Sequence, residues 1–411
     1  MKQRCICTRL VCLLFAVASI AVRAEGVYSP GPVYFPGPVY SPGPIYSPGP
    51  VYVPGPVYFP GPGERWEHRA PETLGMLPDQ LAAAVKFAEE HETDWLRDLR
   101  SQIEKDLTGE PFPGVLGDIQ PRGGPSGVIV RRGYIVAEWG DSERVEMSFG
   151  IATTYLSTLA GVALDRGLIG DVDEPLWKSV RDTGFDSPRN SQVTWRMLLN
   201  QTSEWEGTLW DKPDLADRRR GYERALRPPG TFWENNEVRV NRLALALQRI
   251  WTKPLPQVLQ EEVMDSIGAS KTWQWSGYRN SYVQIGGVAV QVVAGGSHWG
   301  GGLWASAQDH ARLGYLMLRR GNWDGRRILS ERWIDQATAP TDSAPYYGFM
   351  WWLNDARKLV PSAPQSSVFA LGAGGNVIWI DPDHDLVVVA RWLDFAQLDP
   401  FIKAVLQSLL K

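Results

Sequence analysis

The chain is poor in the groups that most often do chemistry. Its three cysteines, Cys5, Cys7 and Cys12, all lie in the first 24 residues. A chain cut after Ala24 has no disulfide, no thiol nucleophile and no thiolate metal ligand. There is no long basic tract. The first 24 residues hold Lys2, Arg4, Arg9 and Arg23 and no acid, so the remainder carries 38 basic against 46 acidic groups, a net −8. That balance argues against nucleic acid or anionic lipid as a partner. No G-x-S-x-G elbow and no H-E-x-x-H pair occurs. The longest apolar run, Leu10 to Val22, is too short to span a bilayer.

What is present divides into three parts. The positive start, the short apolar run and Val22-Arg23-Ala24 read as a secretory signal peptide over 1–24. Export to a secreted, periplasmic or cell-surface location follows, with no stable membrane span after cleavage. Residues 27–62 are six hexapeptides, VYSPGP, VYFPGP, VYSPGP, IYSPGP, VYVPGP and VYFPGP. Two prolines per repeat remove backbone donors and exclude helix. The region 25–65 reads as a disordered, extended spacer, with an adhesive, envelope-contacting tract as the alternative. Residues 66–411 form the folded domain, and all 19 tryptophans lie in it.

Apolar content of 44% and charged content of 21% fit a globular core. Helical periodicity runs from Trp66 to about Glu110. Ser126–Trp139 reads as a hairpin turning at Arg132-Gly133. Helices are predicted over about 151–166, 238–251 and 304–320, and a last one over about 396–410. Strands are predicted at Asn376–Ile380 and Leu386–Trp392. The pattern implies an α/β (α+β) fold with one antiparallel sheet formed by both chain ends and a helical insert.

Several blocks then point to one family. Gly133–Asp141, Met147-Ser-Phe149, Tyr155–Gly161, Asp165–Ile169, Leu199–Glu206, Arg227–Trp233, Val238–Asn241 and His298–Gly302 occur in order. Together they resemble the β-lactamase-related serine hydrolases: class C β-lactamases, penicillin-binding carboxypeptidases, family VIII esterases and 6-aminohexanoate-dimer hydrolases. The resemblance covers roughly residues 70–411 and implies the serine β-lactamase/transpeptidase-like fold. In that family S-x-x-K puts a serine nucleophile and a lysine on one helix face. The matching positions here are Gly150 and Thr153. A tyrosine of the second motif falls at Asn235, whose amide exchanges no protons in the working range. The third motif appears as Gly372-Ala373-Gly374-Gly375, without its cation. The other S-x-x-K, Ser408 to Lys411, is a chance match.

With those three positions replaced, the expectation is a pseudoenzyme with no cofactor and no metal site, binding a small amide-, ester- or peptide-like ligand. An active hydrolase with a non-standard nucleophile and a scaffold acting through its repeats are the alternatives. Thr154, about 40° round the helix from position 150, is the better rescue nucleophile than Ser148. His298, Trp299, Gly374, Gly375 and Trp205 are the further groove candidates. A histidine that merely holds its glycine-rich loop is an equal reading for His298. Glu204 and Glu206 beside Trp205 could form an acid pair, against which structural capping is the better reading, and Asp309, which begins a helix with His310, reads as a cap or dipole partner rather than a catalyst.

Overall fold

The computed structural model describes residues 57–61, 65–217 and 224–410. The signal-peptide reading of 1–24 and most of the repeat tract lie outside the described residues. From Tyr58 onward the described residues form one compact unit.

The elements that position the site are strands β1 (Ser126–Arg131), β2 (Tyr134–Trp139), β3 (Glu146–Met147), β4 (Gln274–Ile285), β5 (Val288–Val293), β6 (Gly302–Ala305), β7 (Trp352–Leu353), β8 (Val368–Gly372), β9 (Asn376–Asp381) and β10 (Leu386–Arg391). The helices are α1 (Pro78–Glu90), α2 (Leu99–Leu107), α3 (Ala152–Asp165), α4 (Glu237–Trp251), α5 (Ala307–Leu318) and α6 (Leu398–Gln407).

A six-stranded antiparallel sheet runs in the order β7-β8-β9-β10-β1-β2, so segments far apart in sequence meet at β10 and β1. Alternation along these strands feeds two cores. Val128, Val130, Val387 and Val389 join one cluster, whereas Ile129, Leu386, Val388 and Ala390 join the other. The second cluster is closed by α1 through Leu81, Ala84 and Ala88 and by α6 through Phe401, Ile402 and Val405. The first is closed by α3 and α5, which contribute Tyr155, Leu156, Leu159, Ala311 and Leu313. Ala152 through Ala163 are all buried, so α3 is a core helix.

The Arg132-Gly133 turn has φ of 51° and 90°, the positive pair that a two-residue hairpin demands. Three expectations change. Strand β6 occupies Gly302–Ala305, and the helix predicted from Trp304 starts only at Ala307, where the Ser306 hydroxyl accepts from the Asp309 N–H at 3.0 Å. A second antiparallel sheet, in the order β3-β6-β4-β5, stands beside the expected one. Gly277 interrupts β4, Gly302 opens β6 and β3 is only two residues long, which hides the period of two. The end of the spacer is also not free, because Tyr58 and Phe59 pack against the domain. Among the described residues, no helix is long and apolar enough to cross a membrane.

Candidate active site

Strand β3 ends at Met147, and after Ser148 the chain turns through Phe149, at φ 48°, into a 3-10 turn that runs directly into α3. Phe149 meets the Trp95 and Trp392 rings edge-on at 5.5 and 6.3 Å, which fixes this strained entry. Gly150 is thereby pressed against β8. A Cβ at position 150 would lie 2.5 Å from the Leu371 carbonyl oxygen. A Cβ at Gly372 would likewise run into the Ser148 carbonyl oxygen. Both glycines let main chain approach main chain, and neither leaves room for a side chain. Thr153 is 7% exposed, and its hydroxyl donates to the Gly150 carbonyl at 2.9 Å. The Tyr347 phenol also faces that hydroxyl. Burial pushes the phenol above its ordinary range, and the Thr153 contact only partly opposes this. Asn235 is exposed, one residue before the buried Asn236 that caps α4 by accepting from the Arg239 N–H at 3.1 Å.

The groove candidates are mostly sealed. Thr154 is wholly buried and its hydroxyl donates to the Ile151 carbonyl at 2.8 Å. Trp205 is 2% exposed, with its indole N–H on the Gly184 carbonyl at 2.7 Å. Trp299 is buried, and the Lys212 ammonium sits 4.5 Å from its ring centroid. Gly374 and Gly375 make a buried turn at φ 78° and 86° against Trp95, Trp392 and the Leu393 backbone. These positions offer a ligand no open face, because the aromatic mass that suggested a groove packs inward.

His298 is different, with 29% of its side chain exposed. Its Nε2 lies 3.1 Å from Glu110 Oε2 and its Nδ1 lies 3.5 Å from Asp217 Oδ1. Burial alone would lower its pKa, but Asp217 and then Glu110 outweigh burial and raise it to about 9. Behind it, Asp217 accepts from the Glu237 backbone N–H. The Glu237 carboxylate accepts from the Tyr278 hydroxyl at 3.2 Å and the Gly296 N–H at 2.9 Å. Burial, helped by Asp217, pushes Glu237 up to about 7, and burial raises Asp217 as well. With a carboxylate at each ring nitrogen, His298 is held as a cation and has no lone pair for base catalysis. It ties together segments near residues 110, 217 and 298. Among the described residues, no group of three or more His, Asp or Glu side chains is arranged to hold a metal ion.

One arrangement escaped the sequence reading. Ser148 Oγ lies 2.9 Å from His310 Nε2, and His310 Nδ1 lies 2.9 Å from the Tyr155 hydroxyl. A neutral imidazole donates at one nitrogen and accepts at the other, so the chain is self-consistent. Burial, with Arg391 nearby, keeps His310 well below its usual range and hence neutral. All three side chains are fully buried. The Ser–His pairing spans 162 residues, and no local pattern announces it. Glu204, read as a cap, accepts two bonds from Arg224 at 2.5 Å each and one from Arg239 at 2.9 Å. It is an ion-pair hub and carries no catalytic geometry.

A family model described as Beta-lactamase matches residues 153–392, more than half of the chain. The chain belongs to the β-lactamase family. The match begins at Thr153, past Gly150. A 6-aminohexanoate-dimer hydrolase from Paenarthrobacter ureafaciens is 28% identical over 109 residues, 23% of this chain. The chain spans only about a quarter (26%) of that protein's length. A penicillin-binding protein homologue from Caulobacter crescentus matches with a TM-score of 0.54 at 15% identity, covering 82% of this chain and 99% of its own. A β-lactamase from Mycobacterium bovis matches at 0.50 and 20% identity, covering 73% and 96%. At these identities the two structures show the serine β-lactamase-like fold and nothing finer.

Proposed function

We propose that this β-lactamase family member is a pseudoenzyme, one that keeps the fold and has lost acyl transfer. One observation carries the reading: the space a serine Cβ would need at position 150 is taken by the Leu371 carbonyl. The nucleophile is therefore absent, and so is the gap that would admit one. Thr153 supports the same reading, because its hydroxyl is spent on the Gly150 carbonyl and is no base near neutral pH. Asn235 completes the loss, since its amide relays no proton. Losing one member of such a unit removes most of its rate, so the others then drift at little cost.

The remaining role is binding of an amide-, ester- or peptide-like ligand by an exported protein. The family's fold and the signal-like first 24 residues support it. Incubation with nitrocefin, a p-nitrophenyl ester and a fluorophosphonate probe tests the dead site. Neither turnover nor labelling is expected, and covalent labelling would sink the proposal. A binding screen with penicillins, oligopeptides and short esters tests the ligand class.

The Ser148–His310 contact favours a second reading, an active hydrolase in which the first turn of α3 opens to expose Ser148. Fluorophosphonate labelling abolished by Ser148→Ala would establish it.

A further inference from the structure

The last repeat of the tract does not simply lead into the domain. The Tyr58 ring stacks on Tyr134, with centroids 4.4 Å apart and planes 8° from parallel. The Arg69 guanidinium lies 3.8 Å from the same Tyr134 centroid. The Phe59 ring sits 5.5 Å from both Tyr315 and Trp323, which pack edge-on against each other at 5.6 Å. Pro60 is buried. The Tyr315 hydroxyl donates to the Tyr58 carbonyl at 2.7 Å. Burial pushes that phenol up to about 12, so it keeps its proton as a donor. A Cβ at Gly133 would lie 2.5 Å from the Tyr58 carbonyl oxygen, so the hairpin glycine is what admits the segment. Aromatic walls, a hydroxyl aimed at a peptide carbonyl and a buried proline are how folded domains read proline-rich segments.

The repeats differ where this cradle discriminates. Every hexapeptide offers tyrosine at its second position. The third is Ser, Phe, Ser, Ser, Val and Phe in turn. Only Val33–Pro38 and Val57–Pro62 therefore place a phenyl ring where Phe59 meets Tyr315 and Trp323, and these two hexapeptides are identical. Each chain thus has one such cradle among its described residues and two matching segments. The segment next to the domain holds the cradle through its short tether, which gives it a high effective concentration.

We propose that this cradle is a docking site for tyrosine–phenylalanine–proline–glycine segments, and that its alternative occupant is Val33–Pro38 of a second copy of the chain. Exchange emerges when the chain's own segment is weakened or when copies are crowded. Its loss or gain is independent of the catalytic state of the domain.

Full-length protein carrying Phe59→Ser tests it, because serine is the tract's own residue at this phase and the cradle residues Tyr134, Tyr315 and Trp323 are themselves unchanged. The variant should self-associate with concentration in sedimentation experiments, and adding Phe35→Ser should return it to monomer. A Phe59→Ser protein that stays monomeric at every concentration overturns the second-copy occupant. The recognition itself is read with a fluorescent VYFPGP peptide on the Phe35→Ser/Phe59→Ser protein. It should bind at least about tenfold tighter than VYSPGP, the worth of two aromatic pairs, and tighter than to wild type, where the cradle is filled. Equal affinity for both peptides, or binding that survives Trp323→Ala, overturns the assignment of the cradle.

Discussion

Two regions of this domain, at the starts of α3 and α4, are built in opposite ways. At the start of α3, Gly150 and Gly372 bring two stretches of main chain into contact, and Thr153 closes on the Gly150 carbonyl. At the start of α4, Glu110, Asp217, Glu237, Tyr278 and His298 remain charged or polar and bonded to one another. In the first region the Thr153 hydroxyl is bonded to main chain and no side chain projects from positions 150 and 372. The second has kept its charges because they cross-link the fold. Ionisable groups clustered in a hydrolase fold are therefore poor evidence of catalysis unless one of them faces an open space.

Breaking the charged region should have the largest effect. His298→Ala leaves Glu110, Asp217 and Glu237 without their cation, and we expect a loss of about 3 kcal/mol in chemical denaturation, with more if Glu237 stays ionised. Next comes pH. Glu237 titrates at about 7 in the fold against an ordinary value of 4.5, so its contribution is full below 4.5 and is lost as pH rises through 7. His298 titrates at about 9 against 6.5, so its contribution is full below 6.5 and is lost as pH rises through 9. Both have the same sign. Stability measured by urea titration should fall as pH is raised across this window, and the upper limb should vanish in His298→Gln.

The closed region should respond less. Gly150→Ser must push the Leu371 carbonyl aside and should cost about 1–3 kcal/mol, as overpacking does. The triple change Gly150→Ser, Thr153→Lys, Asn235→Tyr should show no nitrocefin turnover. Turnover would mean the gap at β8 opens cheaply and would erase the contrast between the regions. Thr153→Val removes the bond to the Gly150 carbonyl and the contact with the Tyr347 phenol, and should cost about 1–2 kcal/mol. Asn235→Ala, at an exposed position, should fall within about 0.5 kcal/mol of wild type.

The framework of the fold was legible because it rests on short-range pattern. The Arg132-Gly133 hairpin, α3, α4, β9 and β10 all follow from period and punctuation, and they fall within a few residues of where those signals put them. Strand β6 was hidden inside an apolar run that reads equally as helix, and the second sheet behind the two-residue β3 and the glycines of β4 and β6. Positions 150, 153 and 235 were singled out by the ordered blocks on either side, and their reading as replaced catalytic residues belongs to the proposal. The groove was not. Trp205, Trp299, Thr154, Gly374 and Gly375 have the composition of a binding surface, but composition does not say which way a ring points. Trp205 and Trp299 turned inward because burying an indole outweighs leaving it wet.

The sequence by itself determined that Gly150, Thr153 and Asn235 stand where the family resemblance would put serine, lysine and tyrosine. It also determined the alternation that sorts β1 and β10 between two cores. Tertiary structure alone decided that the Leu371 carbonyl fills the space a side chain at position 150 would need. It alone joined His298 to Glu110 and Asp217, and Ser148 to His310, and it alone seated Phe59 between Tyr315 and Trp323. The reason is physical. Periodicity assigns a residue to a face, whereas these contacts join segments tens to hundreds of residues apart, and only the packing of whole elements sets which faces meet.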